Sequence, residues 1–135
     1  MRDEKVRIVL GKIGLDDHQR SLQVLSKGFR DAGFEVINLG FFQTPEMVVS
    51  SAIAEDANAI GLSFHTLTYL GWVVDVFNLL VDKQVNDIAV FVGGTIPEAD
   101  DEELRRLGVK GIYRPGSAMS EIVKEIRQTV LASHD

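Results

Sequence analysis

Residues 6–40 read VRIVLGKIGLDDHQRSLQVLSKGFRDAGFEVINLG, and they contain one complete strand–helix–strand unit. Val6 to Leu10 is an apolar run of strand length. A polar loop follows, and then Leu22, Val24, Leu25 and Phe29 recur at helical spacing up to Gly33. Phe34 to Leu39 is a second apolar run, closed by Gly40. Neither run alternates with polar residues, as expected of strands covered on both faces.

The same alternation continues downstream. Thr44-Pro45 is a helix start, a capping hydroxyl followed by a proline whose missing N–H costs nothing there. Met47, Val48, Ala52 and Ile53 are that helix's expected buried face. Ala59 to Ser63 is a third strand, Tyr69 to Val81 a long apolar helix, and Ile88 to Val92 a fourth strand ending at Gly93-Gly94. Leu104 and Leu107 mark a short helix stopped by Gly108, and Val109 to Tyr113 is a fifth strand. Pro115-Gly116 turns the chain, and Ser117 is placed to cap a last helix with Ile122, Ile126 and Val130 on one face. Ala132 to Asp135 are expected to fray.

Strict alternation of strands and helices implies a parallel sheet with helices on both faces. For five strands the common order is 2-1-3-4-5, so the fold class is α/β, a flavodoxin-like (Rossmann-like) doubly wound sheet. The 135 residues and a hydrophobic share of 45% suit one domain, residues 1–135, with one core. A barrel of about 250 residues would have to come from another chain. The formal net charge of −6 is a poor match for a phosphate backbone, so nucleic acid is not an expected partner. No apolar run is long enough to span a bilayer, and Val6 to Leu10 is too short for a signal-peptide core. The absence of cysteine excludes disulfides, thiolate catalysis and Cys-ligated zinc. The expected address is the cytoplasm.

In such a sheet, ligands bind beyond the C-terminal strand ends where the strand order reverses, here between strands one and three. The loops from Lys12 to Arg20 and from Ser63 to Thr68 lie there, with the turns at Gly93-Gly94 and Arg114-Pro115-Gly116 farther along the same edge. In the first loop Asp16 precedes His18 by two residues. A carboxylate so placed can fix the imidazole tautomer and leave the other ring nitrogen free for a metal, while Lys12 keeps the carboxylate ionised. A solvated loop with Asp16 or Asp17 as a helix cap is the plain structural alternative. Gly93-Gly94 permits close approach of a flat ligand, or marks a tight turn. No Gly-Lys-Ser/Thr follows it, and no Gly-x-Gly-x-x-Gly follows strand one, so neither a P-loop nor a dinucleotide fingerprint is present. His65 reads as a loop histidine, His134 as part of the tail, and Trp72 with Tyr69 and Phe77 as core packing or a subunit interface.

Taken together, these motifs resemble the cobalamin-binding domain of the methylmalonyl-CoA mutase family, including the separate small subunits of isobutyryl-CoA and 2-hydroxyisobutyryl-CoA mutases. The small subunit of glutamate mutase is a more distant likeness. The resemblance runs from Val6 to about Val130. It rests on Lys12-Ile13-Gly14, Asp16-Asp17-His18-Gln19-Arg20-Ser21, Gln43-Thr44-Pro45, Gly93-Gly94-Thr95-Ile96-Pro97-Glu98-Ala99-Asp100 and Pro115-Gly116. The resemblance implies a base-off cobalamin with His18 as lower axial cobalt ligand, supported by Asp16 and Lys12. Asp17, Gln19, Arg20, Ser21, Ser63, His65, Leu67, Gly93, Gly94, Pro115 and Gly116 would contact the cofactor and its nucleotide tail. It further implies adenosylcobalamin-dependent acyl-CoA rearrangement on a large barrel subunit, with this chain inactive alone.

The chain departs from the family pattern. Ser21 replaces the glycine of Asp-x-His-x-x-Gly, and His65 replaces the leucine of Ser-x-Leu. Leu67 and Tyr69 stand where relatives carry small or polar residues. All four are expected on the tail groove. Retained binding with altered packing is one outcome. A scaffold that binds a partner subunit but little cobalamin is another. A corrinoid carrier for methyl transfer or sensing is a third, disfavoured because residues 1–5 leave no room for the helical cap of such carriers.

Overall fold

The central strand β1 (Arg7–Ile13) pairs in parallel on both sides, with β2 (Glu35–Gln43) and with β3 (Ala59–Phe64). β4 (Ala89–Gly94) and β5 (Gly111–Tyr113) complete a five-stranded sheet of order 2-1-3-4-5, the expected topology. The computed structural model describes residues 5–13, 20–64 and 69–132. Asp16, Asp17, His18, Gln19, His65, Leu67 and His134 lie outside them.

Helices alternate with the strands: α1 (Arg20–Asp31), α2 (Pro45–Ala54), α3 (Leu70–Asp82), α4 (Asp101–Leu107) and α5 (Met119–Ala132). Right-handed crossovers sort them onto two faces. α1 and α5 cover one through Leu22, Phe29, Ile122 and Ile126, packed on Ile8, Leu10 and Phe91. α2, α3 and α4 cover the other through Val48, Val49, Val73, Val76 and Leu104, packed on Val9, Ile60, Leu62 and Val90. Among the described residues no helix is long and apolar enough to cross a membrane.

Several boundaries differ from the sequence reading. β1 continues past Leu10 to Ile13, because Gly11 and Lys12 still pair with Leu62 and Ser63 of β3. Lys12 therefore stands on a strand and not in a loop. β2 continues past Leu39 to Gln43 by bulging twice against β1. The bulges carry the left-handed backbone of Gly40 and Phe42, φ 84° and 63°. β5 begins at Gly111 and not at Val109. The Val109 N–H closes α4 by donating to the Leu104 carbonyl, after a left-handed Gly108.

The Thr44 cap is as expected, its Oγ1 accepting from Met47 N–H at 3.2 Å. Ser117 does not cap α5. Its hydroxyl accepts from the Arg114 N–H, and the Ala118 carbonyl accepts the first N–H groups of the helix. On α2 the buried residues are Pro45, Val48, Val49 and Ala52, while Met47 and Ile53 face outward. Val24 of α1 is exposed. Trp72 and Phe77 pack partly buried against the α2–α3–α4 core, the first of the two roles considered for them.

Candidate functional site

The α1/α5 face of the sheet contains a cavity of about 490 Å³, with walls that are almost wholly apolar. The register explains it. Three rows of residues cross this face: Ile8, Ala59 and Ala89; Leu10, Gly61, Phe91 and Gly111; Lys12, Ser63, Gly93 and Tyr113. Glycines at 61, 93 and 111 remove side chains from a floor that would otherwise be filled. Leu10 leans into the first gap, so that a Cβ on Gly61 would lie 2.6 Å from its Cδ2. Tyr113 folds back over the third, where a Cβ on Gly111 would lie 2.5 Å from the phenolic oxygen. The tyrosine ring stacks on Phe91 with centroids 6.4 Å apart.

Gly93 is different. A Cβ there would meet nothing closer than the Tyr113 carbonyl at 3.4 Å, an ordinary contact. The protein's own packing does not demand a glycine at this point, and the space above it belongs to the groove. Gly94 is demanded. Its φ is 129°, and a Cβ would lie 1.8 Å from the Phe64 carbonyl oxygen. The pair thus combines both readings of a double glycine, open floor and tight turn.

The polar groups gather at the C-terminal end of the groove. Lys12 is 1% exposed and Ser63 6% exposed, side by side in the outermost row. The turn of residues 114–117 closes the far side. The Tyr113 hydroxyl is buried, makes no hydrogen bond of good geometry among the described residues, and lies within reach of the Glu125 carboxylate. Burial, and then the negative charge of Glu125, raise its pKa above the usual phenol range. It therefore remains a proton donor at any physiological pH. A large, mostly apolar group with a few polar atoms fits a space of this composition.

Of the residues singled out in the sequence, Lys12, Ser63, Gly93, Gly94, Pro115 and Gly116 all line this one cavity. The backbone places Arg20 and Ser21 in the first turn of α1. Tyr69 is not on the groove. It is 1% exposed within the core of the opposite face, where it packs on Phe64 and donates to Asp100. The crossover handedness that puts α3 on that face is the reason. Sequence reading placed Arg114 at a turn on this edge without a role of its own, and it missed Gly61, Gly111 and Tyr113. The signal for the two glycines was their position inside apolar strands, which marks close approach of another group.

Comparison with known proteins identifies the family. Residues 6–124 match the family described as B12 binding domain. The chain is 36% identical over 132 residues to the small subunit of 2-hydroxyisobutanoyl-CoA mutase from Aquincola tertiaricarbonis, covering 98% of this chain and 97% of that one. It is 37% identical over 119 residues to the pivalyl-CoA mutase small subunit of Xanthobacter autotrophicus, covering 88% of this chain and 80% of that one. Against the large subunit of methylmalonyl-CoA mutase from Propionibacterium freudenreichii subsp. shermanii, identity is 36% over 128 residues. That match covers 92% of this chain and 18% of the longer one. Among solved structures, a cobalamin-binding protein from Desulfitobacterium hafniense DCB-2 superposes with a TM-score of 0.74 at 22% identity, covering 92% of this chain and 58% of that one. The receiver domain of the response regulator NarL from Mycobacterium tuberculosis superposes with a TM-score of 0.72 at 18% identity, covering 96% and 98%. The fold alone is therefore shared by unrelated functions, and the family match is what narrows them.

Proposed function

This chain belongs to the B12-binding domain family, and we propose that it is the cobalamin-binding small subunit of an adenosylcobalamin-dependent acyl-CoA mutase. The observation that carries the reading is the apolar groove under α1 and α5, floored by side-chain-free Gly93 and headed by Lys12 and Ser63. On this reading residues 1–135 form one cobalamin-binding domain, and the groove takes the nucleotide tail. The Ser63 hydroxyl meets a polar atom of the buried base. Gly93 and Gly94 let the tail approach the sheet, and Pro115 and Gly116 close its mouth. Asp17, Gln19, His65 and Leu67, with Arg20 and Ser21 at the start of α1, would add contacts to the cofactor.

His18 would hold the cobalt through its imidazole. Asp16 accepts a hydrogen bond from the other ring nitrogen, which fixes the tautomer and strengthens the imidazole as a donor. Lys12 is 1% exposed, a buried ammonium favours negative charge beside it, and Asp16 would contribute one. Adenosylcobalamin, when bound, supplies the carbon radical that starts the rearrangement, by homolysis of its cobalt–carbon bond. This chain holds the cofactor and orients it toward a partner. The partner is a large barrel subunit that binds the acyl-CoA, and the pair works in the cytoplasm. The acyl group is selected on the partner's side. The open groove argues against a scaffold whose tail pocket is filled. Tyr69, turned to the other face, no longer counts among the residues that crowd it.

The test is the visible spectrum of the protein with bound cobalamin. The wild type should show base-off cobalamin with an imidazole ligand, and His18→Ala should lose that signature. An unchanged spectrum in the variant contradicts ligation by His18.

A further inference from the structure

If the groove takes a nucleotide tail, as the functional reading requires, its mouth lies where the sheet no longer holds the chain. β4 and β5 pair for only a short stretch, and the last pair is Gly93 with Tyr113. Beyond it lie the two turns that form the mouth, Gly94-Thr95 at the end of β4 and residues 114–117 after β5. Arg114 joins them. Its guanidinium, 28% exposed, donates from Nε to the Ile96 carbonyl at 2.7 Å. From Nη2 it donates to the Pro97 carbonyl at 3.3 Å and to the Asp101 carboxylate. The turn from which it springs is closed on itself. Ser117 Oγ accepts from the Arg114 N–H at 3.2 Å, and the Arg114 carbonyl accepts from the Ser117 N–H at 3.0 Å.

The post-β4 segment is held from its other side as well. The Asp100 carboxylate accepts a hydrogen bond from the buried Tyr69 hydroxyl at 2.5 Å, at the start of α3. Two of the three acceptors of Arg114 are main-chain carbonyls, so the contact fixes backbone and not merely a side chain. A planar guanidinium can span two carbonyls and a carboxylate together, whereas an ammonium is a point charge.

We propose that Arg114 is a positioning residue for the nucleotide tail, setting the separation of the post-β4 and post-β5 turns and so the width of the groove mouth. On the functional reading the corrin ring would lie outside the groove, so the brace would act on the tail alone. The test compares the wild type with Arg114→Ala and Arg114→Lys for binding of adenosylcobalamin and of cobinamide, the corrinoid without a nucleotide tail. Amide hydrogen exchange of the ligand-free proteins is measured alongside. Arg114→Ala should weaken adenosylcobalamin by at least about tenfold, the usual cost of losing a group that orients a binding element. Cobinamide affinity should stay unchanged. Exchange should quicken at residues 94–101 and 114–118 and nowhere else. Arg114→Lys, which keeps the charge and loses the fork, should fall between wild type and alanine, and it serves if the alanine variant folds poorly. Equal weakening of both corrinoids, or unaltered exchange at those residues, overturns the proposal. Wild-type protein that takes up neither corrinoid overturns the functional reading and this proposal with it, and that result is seen before any substitution is made.

Discussion

The two faces of the sheet are built to opposite ends. On the face covered by α2, α3 and α4, Val9, Ile60, Leu62, Val90 and Val92 meet Val73, Val76 and Leu104, and side chains fill the layer. On the face covered by α1 and α5, glycines at 61, 93 and 111 interrupt the rows, and a cavity of about 490 Å³ remains. The sheet is the same sheet, and its strands are equally apolar. The difference shows that the second face gives up burial of its own side chains to keep room for something else. Stability should reside mainly in one face and binding in the other.

The largest effect expected is on the packed face. Leu104 is 0% exposed, and Leu104→Ala should cost about 2–5 kcal/mol in urea unfolding while cobalamin affinity holds. A parallel loss of affinity would break the division of labour. Gly93→Ala is the converse. It should leave unfolding free energy unchanged and weaken cobalamin about tenfold, the ~1.4 kcal/mol expected when a methyl group overfills a fitted space. Tyr113→Phe sharpens the comparison further. Removing a buried hydroxyl that makes no well-formed hydrogen bond among the described residues should stabilise the ligand-free protein by about 1 kcal/mol, read from the melting temperature. A destabilised variant would mean that the hydroxyl has a partner after all.

The smallest effect lies on neither face. Arg7 Nε meets Glu35 Oε2 at 2.6 Å across the β1–β2 edge, and that hydrogen bond holds the Glu35 carboxyl below its ordinary value of 4.5. The depressed folded-state pKa means that the pair's contribution is present above the unfolded-state value and is lost as pH falls through the folded one. Glu35→Gln should therefore flatten the acid limb of the stability profile slightly and leave the neutral region alone. An unaltered acid limb would remove the pair from the account.

The order of the sheet, the helix start at Thr44-Pro45 and the edge that carries the site were legible in the sequence because each rests on local pattern. Hydrophobic period, turn residues and crossover handedness suffice for them. The groove floor was not, because it depends on register. That Gly61 faces Leu10, and Gly93 faces both Ser63 and Tyr113, becomes visible only once four strands are aligned. Strand ends failed for a related reason. Bulges at Gly40 and Phe42 carry β2 past the glycine that looked like its end. Tyr69 was read both as core packing and as a residue of the groove; the first holds, because the hand of the crossover sends it to the other face. The turn at Arg114 was legible, but its contact with the post-β4 segment was not, since the acceptors Ile96 and Pro97 lie on a different loop.

The account stands on this chain supplying the lower ligand to cobalt, so that the tail is free to enter the groove. Electron paramagnetic resonance of bound cob(II)alamin reads that ligand directly, through the splitting of each cobalt line by the coordinated nitrogen. Protein labelled with ¹⁵N-histidine should turn the ¹⁴N triplet into a ¹⁵N doublet, and His18→Ala should abolish it. A triplet that survives the labelling would mean that no histidine of this protein holds the cobalt, and it would contradict the account.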